Sequence, residues 1–127
     1  MKRLTKDEIL AAPLATEVVP TPEWGGEVVV RELTGEQRDA FENSCFVGRG
    51  KDRQDNFRNL RARLVALSIV DEAGAPMFSE AEVAALGKTG ARALDRVFAA
   101  ALALSGLSAK DVEELAGNSG AGQSDGT

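Results

Sequence analysis

Helix starts are the strongest constraint written into this chain. Thr5-Lys6-Asp7-Glu8, Thr34-Gly35-Glu36-Gln37 and Ser79-Glu80-Ala81-Glu82 each place a hydroxyl three residues before a long acid or amide. In that spacing the hydroxyl accepts from the N3 amide, and the N3 side chain accepts from the cap's own N–H. Ser108-Ala109-Lys110-Asp111 is a weaker copy with a shorter acid. Leu4 with Ile9, Phe78 with Val83, and Leu107 with Val112 add hydrophobic staples to three of the four. Four helix origins, spread along 127 residues, commit most of the chain to short helices.

The rest of the pattern fills in between them. A first helix over 6–12 is stopped by Pro13. Glu17-Val18-Val19 and Glu27-Val28-Val29-Val30-Arg31 are β-branched runs around Trp24-Gly25-Gly26, which predicts a β-hairpin near 15–33. Pro20 and Pro22 cannot donate to a ladder, so the first strand belongs at an edge or ends early. Helices are expected over 35–46, 53–69, 80–86, 90–105 and 109–116, separated by Gly48-Arg49-Gly50, the turn at 71–76, Gly87 and Gly106. In the second of these Phe57, Leu60, Leu64 and Leu67 form one apolar stripe. Residues 117–127 are rich in Gly, Ser and Asp with almost nothing to bury, and are expected to be a disordered tail. The expected fold is mainly α within an α+β class: one domain over 1–116, with about five helices and one N-terminal hairpin.

Composition removes most chemistries. A chain of this length buries roughly two-thirds of its unfolded surface, and 43% hydrophobic content suffices for a core without cross-links. Cys45 is the lone cysteine, so no internal disulfide forms, and a lone thiol suits a reducing compartment. There is no histidine, which removes the commonest general base and the commonest metal ligand. Zinc sites and serine or cysteine triads are excluded with it. Gly50-Lys51 fails as a phosphate loop, because Cys45 stands where a glycine is needed and Asp52 where Ser or Thr is needed. Asp71-Glu72 and Asp111 with Glu113-Glu114 fit solvated surface charge. No secretory pattern follows Met1-Lys2-Arg3, and the longest apolar run, 97–104, is far short of the ~20 residues that span a bilayer. The expectation is a cytoplasmic protein without cofactor, metal or membrane partner, and not an enzyme.

What remains is binding. Arg49, Lys51, Arg53, Arg58, Arg61 and Arg63, set against Asp52 and Asp55, make one segment net +4 in a chain of net −5. Its plain reading is a solvated helix face paired with the protein's own acids; the second is docking on an acidic protein, with Arg58 and Arg61 as its centre. Nucleic acid ranks last, given the acidic balance and the lack of interleaved aromatic residues. In 97–104 Val97, Phe98, Leu102 and Leu104 leave the helix no polar face. Either its own neighbours ring it, or a partner or second copy covers it. Trp24 at the hairpin tip is a candidate anchor or a residue folded back on its domain.

The order of small structural motifs goes further. From Arg61 to Gly87 the chain reads Arg-x-Arg-Leu-Val-x-x-Ser-Ile-Val-Asp-Glu-x-Gly-x-Pro-Met-Phe-Ser-Glu-x-Glu-Val-x-x-Leu-Gly. Ala93-Leu94-Asp95-Arg96-Val97-Phe98 follows, then Leu104-Ser105-Gly106-Leu107-Ser108-Ala109-Lys110-Asp111-Val112-Glu113-Glu114-Leu115, closing at Asn118. With Glu23-Trp24-Gly25-Gly26 and Val30-Arg31-Glu32-Leu33-Thr34 upstream, residues 14–118 resemble the tail assembly chaperones of long-tailed, siphovirus-type bacteriophages and prophages. The resemblance implies a holdase for the tape measure protein that helps recruit tail tube subunits, in part through a longer frameshifted product, and that leaves the finished virion. It carries no catalytic residue. A structural tail or head-completion protein retained in the particle is the alternative, and a small nucleic-acid-associated regulator a third. The glycine-rich stretch 119–127 departs from the family pattern, as a variable tail or the approach to a frameshift site.

Overall fold

A computed structural model describes residues 1–48 and 50–107. In chain order the elements are α1 (Lys6–Ala11), β1 (Thr16–Thr21), β2 (Gly26–Arg31), α2 (Gly35–Ser44), β3 (Phe46–Val47), β4 (Gln54–Asp55), α3 (Leu60–Ser68), β5 (Ile69–Val70), α4 (Val83–Leu86) and α5 (Ala91–Leu104). Among the described residues the class is α+β with five helices and an N-terminal hairpin, as the sequence pattern predicts. The expected helix over 109–116, its weak cap, the Leu107–Val112 staple and the tail 117–127 lie outside the described residues.

Capping chemistry sets three helix starts. Glu8 N donates to Thr5 Oγ1 at 3.2 Å and Gln37 N to Thr34 Oγ1 at 3.0 Å, and the Glu8 and Gln37 side chains accept in return from Thr5 N and Thr34 N. At Ser79 the same box opens a single 3-10 turn, Glu80–Glu82, that runs into α4. The hairpin closes through a second such turn, Pro22–Trp24, with Gly25 in the left-handed region (φ 82°). Thr21, buried beneath that turn, donates its hydroxyl to Gly26 O at 2.9 Å. The sheet order is β1-β2-β5, all antiparallel, so the proline-bearing β1 is an edge strand.

Two sequence expectations need correction. The helix over 53–69 begins only at Leu60. Residues 53–59 carry Asp55, Asn56 and Asn59, whose side chains compete for backbone partners and disfavour a helix interior. That stretch instead forms β4, paired with β3, and Asn56 N donates to Cys45 O at 2.7 Å. Gly48 makes the hairpin feasible: its φ is 82°, and a Cβ there would lie 2.4 Å from Asp52 O. The C-terminal end falls within one residue of the expectation: Ile69 caps α3, and with Val70 it becomes the third strand, against Val30 and Val29. Nor is the apolar stripe a stripe. Leu64 is fully buried while Phe57, Leu60 and Leu67 are half-buried, and Ala62, Val65, Ala66 and Ser68 are buried too. α3 is therefore enclosed on most of its circumference.

One core joins the layers. α5 packs on β1 and β2 and on α3, and α3 also meets α2 and α4. Phe41, Leu64, Val65, Ile69, Val30 and Val97 are its most deeply buried large side chains. α5 ends where Gly106 (φ 71°) lets Leu107 N reach back to Leu102 O at 2.8 Å, the reversal expected of a glycine cap. Ser105 Oγ then accepts from Leu33 N at 2.9 Å, pinning the end of α5 beside the start of α2.

α1 stands apart, since none of its residues is buried. Leu64→Ala is expected to cost about 2–5 kcal/mol in urea unfolding, whereas Leu10→Ala should fall within about 0.5 kcal/mol of the parent. Equal costs would mean that α1 belongs to the core.

Candidate protein-binding surface

The seven residues singled out by sequence divide into three groups. Val97 and Leu102 are core residues of this chain, pointing away from solvent. Phe98 and Leu104 are half-buried against that core. Trp24, 36% exposed, and the exposed Arg58 and Arg61 remain at the surface.

The reason is the helical phase of α5. Ala93, Leu94, Val97, Ala101 and Leu102 turn inward, while Arg92, Asp95, Arg96, Ala99 and Ala103 turn outward. The helix that composition marks as apolar all round is thus two-sided: its outer half is charged at first and then lined with alanine. Its charges are largely spent within the molecule. Arg96 Nη2 donates to Glu23 Oε2 at 2.7 Å, tying α5 to the hairpin turn that carries Trp24. That bond, above all, lowers the Glu23 carboxyl below its ordinary range. Arg61 pairs with Asp95, and its guanidinium lies 5.8 Å from the centroid of the Phe98 ring. Beside that pair is a crevice between the N-terminal ends of α3 and α5, lined by Phe57, Leu60 and Leu94 among others.

The basic segment does not form one helical face, contrary to the sequence reading. Arg53 lies next to β4 with its guanidinium 3.8 Å from the Phe46 ring centroid. Arg58 precedes α3, and among the described residues it has no ion pair. Arg63 is drawn inward. Its Nη1 donates to Ser44 O at 2.6 Å and Ser44 Oγ at 2.7 Å, and its Nη2 to Asn56 O at 2.6 Å. One cation thus satisfies the last turn of α2 and ties the β3–β4 hairpin to α3. Burial lowers its basicity. Burial likewise pushes the adjacent Cys45 thiol up, against the opposing influence of Arg63.

Sequence reasoning missed a second feature. An apolar groove of about 200 Å³ lies between α2, α3 and the segment leading into α4. Ala40, Phe41, Leu67, Phe78 and Val83 supply most of its apolar wall, and Arg63 and Glu80 are its charged lining residues. Its one sequence signal is the Phe78–Val83 staple, which brings two of the lining residues together. Among the described residues no cluster of three or more metal-binding side chains occurs, and no helix is long and apolar enough to cross a membrane.

A family model described as phage tail assembly chaperone matches residues 6–118, nearly the whole chain. The chain belongs to that family. The tail assembly chaperone of bacteriophage HK97 has a similar fold, with a TM-score of 0.55 at 21% identity over 77% of this chain and 90% of that one. No curated protein gives a significant match. The family domain thus takes in α1 at one end and reaches past α5 at the other.

The arginines separate by role in a stability experiment. Arg63→Ala strands the Asn56 carbonyl and leaves Ser44 O with only the Asn56 side-chain amide at 3.2 Å, and is expected to cost about 1–3 kcal/mol; Arg58→Ala should stay within about 0.5 kcal/mol. Equal losses in thermal unfolding would overturn that division. Cys45 should react with thiol reagents only on unfolding, even at mildly alkaline pH. With its folded pKa raised, its contribution is intact below the unfolded thiol value and falls away as pH rises past it, because the unfolded chain ionises first.

Proposed function

We propose that this tail assembly chaperone acts as a holdase, not an enzyme, in the host cytoplasm: it binds its phage's tape measure protein and keeps it soluble while tail tube subunits are recruited around it. The observation that carries the reading is the outward face of α5, in a chain of this family. Ala99 and Ala103 leave that face flat, Phe98 and Leu104 border it, and Trp24 is held near it by the Glu23–Arg96 bond. Small side chains let another helix approach closely with little lost side-chain entropy, which suits a long helical client. Arg58, beside Glu80 and Val83 and without an ion pair among the described residues, adds a positive charge for an acidic client segment. A face this shallow gives modest affinity per site, as a client that must be handed over requires. Recruitment of tube subunits would fall to other surfaces, among them any extension in a frameshifted product.

Co-expression with the tape measure gene of the same phage tests the reading. Ala99→Asp combined with Arg58→Glu changes two exposed positions, so the variant should fold normally by circular dichroism. It is expected to reduce the soluble, co-purifying tape measure protein by about tenfold or more, as loss of ~1.4 kcal/mol of binding would. Undiminished co-purification removes α5 and Arg58 from the interface. Stoichiometric amounts of the protein in purified virions, measured by mass spectrometry, would favour a retained structural component instead.

A further inference from the structure

The chain leaves α5 by a fixed exit. Gly106, left-handed at φ 71°, turns it back so that Leu107 N reaches Leu102 O at 2.8 Å, and Leu107 is buried in the core. Leu33 N holds Ser105 Oγ at the same point. The next residue opens a helix pattern: Ser108-Ala109-Lys110-Asp111 has the cap spacing, and Leu107 with Val112 the staple spacing. Over 109–116 the helical period puts Ala109, Val112, Leu115 and Ala116 on one face, and Lys110, Asp111, Glu113 and Glu114 on the other. So short a helix does not persist in water unless a packed face supports it. Since Leu107 is fixed in the core, the surface that supports this one lies close to the end of α5.

Two apolar surfaces of this chain are open to it. One is the groove between α2, α3 and α4. Glu36 and Asp39 flank its Ala40 wall on α2 and Glu80 lines it, all three exposed and without an ion pair among the described residues. Residues 109–116 carry one lysine against three acids, so that groove repels them. The other is the outward face of α5, where Arg61 offsets Asp95 and Arg96 offsets Glu23. Ala99 and Ala103 leave that face flat between Phe98 and Leu104. A helix over 109–116 rises about 12 Å, the same as α5 from Leu104 back to Val97. It covers the alanine half of α5 and stops short of Asp95 and Arg96.

We propose that residues 109–116 fold back antiparallel on the outward face of α5, closing an αα-hairpin, and act as an internal stand-in for the client. Val112 lies over Ala103 and Leu115 over Ala99, large side chains on small ones. Cap and client then share one floor, and the client binds by displacing the cap. The closed cap shields the face from water and lowers the apparent affinity for the client by the fraction of molecules that stand open. Docking of the cap is independent of any client; its role as a stand-in rests on the reading of α5 as the client site.

Hydrogen exchange of the full chain, read by mass spectrometry in peptides covering 110–118, tests the docking. The parent should exchange there at least about tenfold more slowly than Ala99→Asp, which spoils the floor at an exposed position. Ala40→Arg, in the groove, should exchange like the parent. Fast exchange in the parent overturns the proposal, and so does protection that Ala40→Arg loses and Ala99→Asp keeps. Competition for the client tests the role. Leu115→Asp opens the cap and leaves α5 intact, so when it is co-expressed in equal amount with the parent and the tape measure gene, it should be recovered on the client in about tenfold excess. Equal or lower recovery overturns the stand-in role. If Ala99→Asp loses protection over 110–118 yet binds the client as the parent does, the docking stands and the client site is not on α5.

Discussion

The enclosure of α3 is the constraint on which the other elements depend. Ala62, Leu64, Val65, Ala66 and Ser68 occupy most of its circumference and are all buried, so neighbours must surround it. The small residues among them set how close those neighbours come. Ser68, the one buried hydroxyl on the helix, is satisfied by Leu64 O at 2.8 Å. The chain then passes from Ser68 straight into β5, so the central helix and the third strand are continuous with no loop between them. α5 is left with α3 and the sheet on one side and solvent on the other. That is why its inner positions became core and its outer positions alanine. The helix with the most apolar sequence is not the most buried one.

Much of this was legible in sequence wherever the cause was local. Thr5, Thr34 and Ser79 set helix starts by bonds three residues long, and such bonds are the same in any fold. Pro20 could be assigned to an edge strand because a missing donor is missing everywhere. The stretch 53–70 was not legible, because its conformation is decided by residues distant in sequence. Arg63 captures Ser44 and Asn56, Cys45 O takes the Asn56 amide, and Val29 and Val30 take Ile69 and Val70 as strand partners. Tertiary contacts of this kind override helix propensity.

The site followed the same division. Trp24, Arg58 and Arg61 are at the surface, as polarity and turn position suggest, but Val97 and Leu102 are core. An apolar side chain reads identically whether it faces its own sheet or a partner. The phase of α5 relative to the sheet decides between them, and no local signal encodes that phase. The groove was harder still to see, since its walls come from three segments and only Phe78 and Val83 are neighbours in sequence.

The charges show what the α5 face has to work with. Arg61 is matched by Asp95 and Arg96 by Glu23, so the outward face carries little free charge. On the function proposed above, recognition there would rest on shape and apolar area, which salt affects weakly. Arg58 lies elsewhere: it shares a crevice with Glu80 and Val83 beside α4, and among the described residues it has no ion pair. An acidic client segment drawn to Arg58 would meet Glu80 beside it, so that exposed cation adds little attraction of its own, and the apolar face would carry the greater part of the contact.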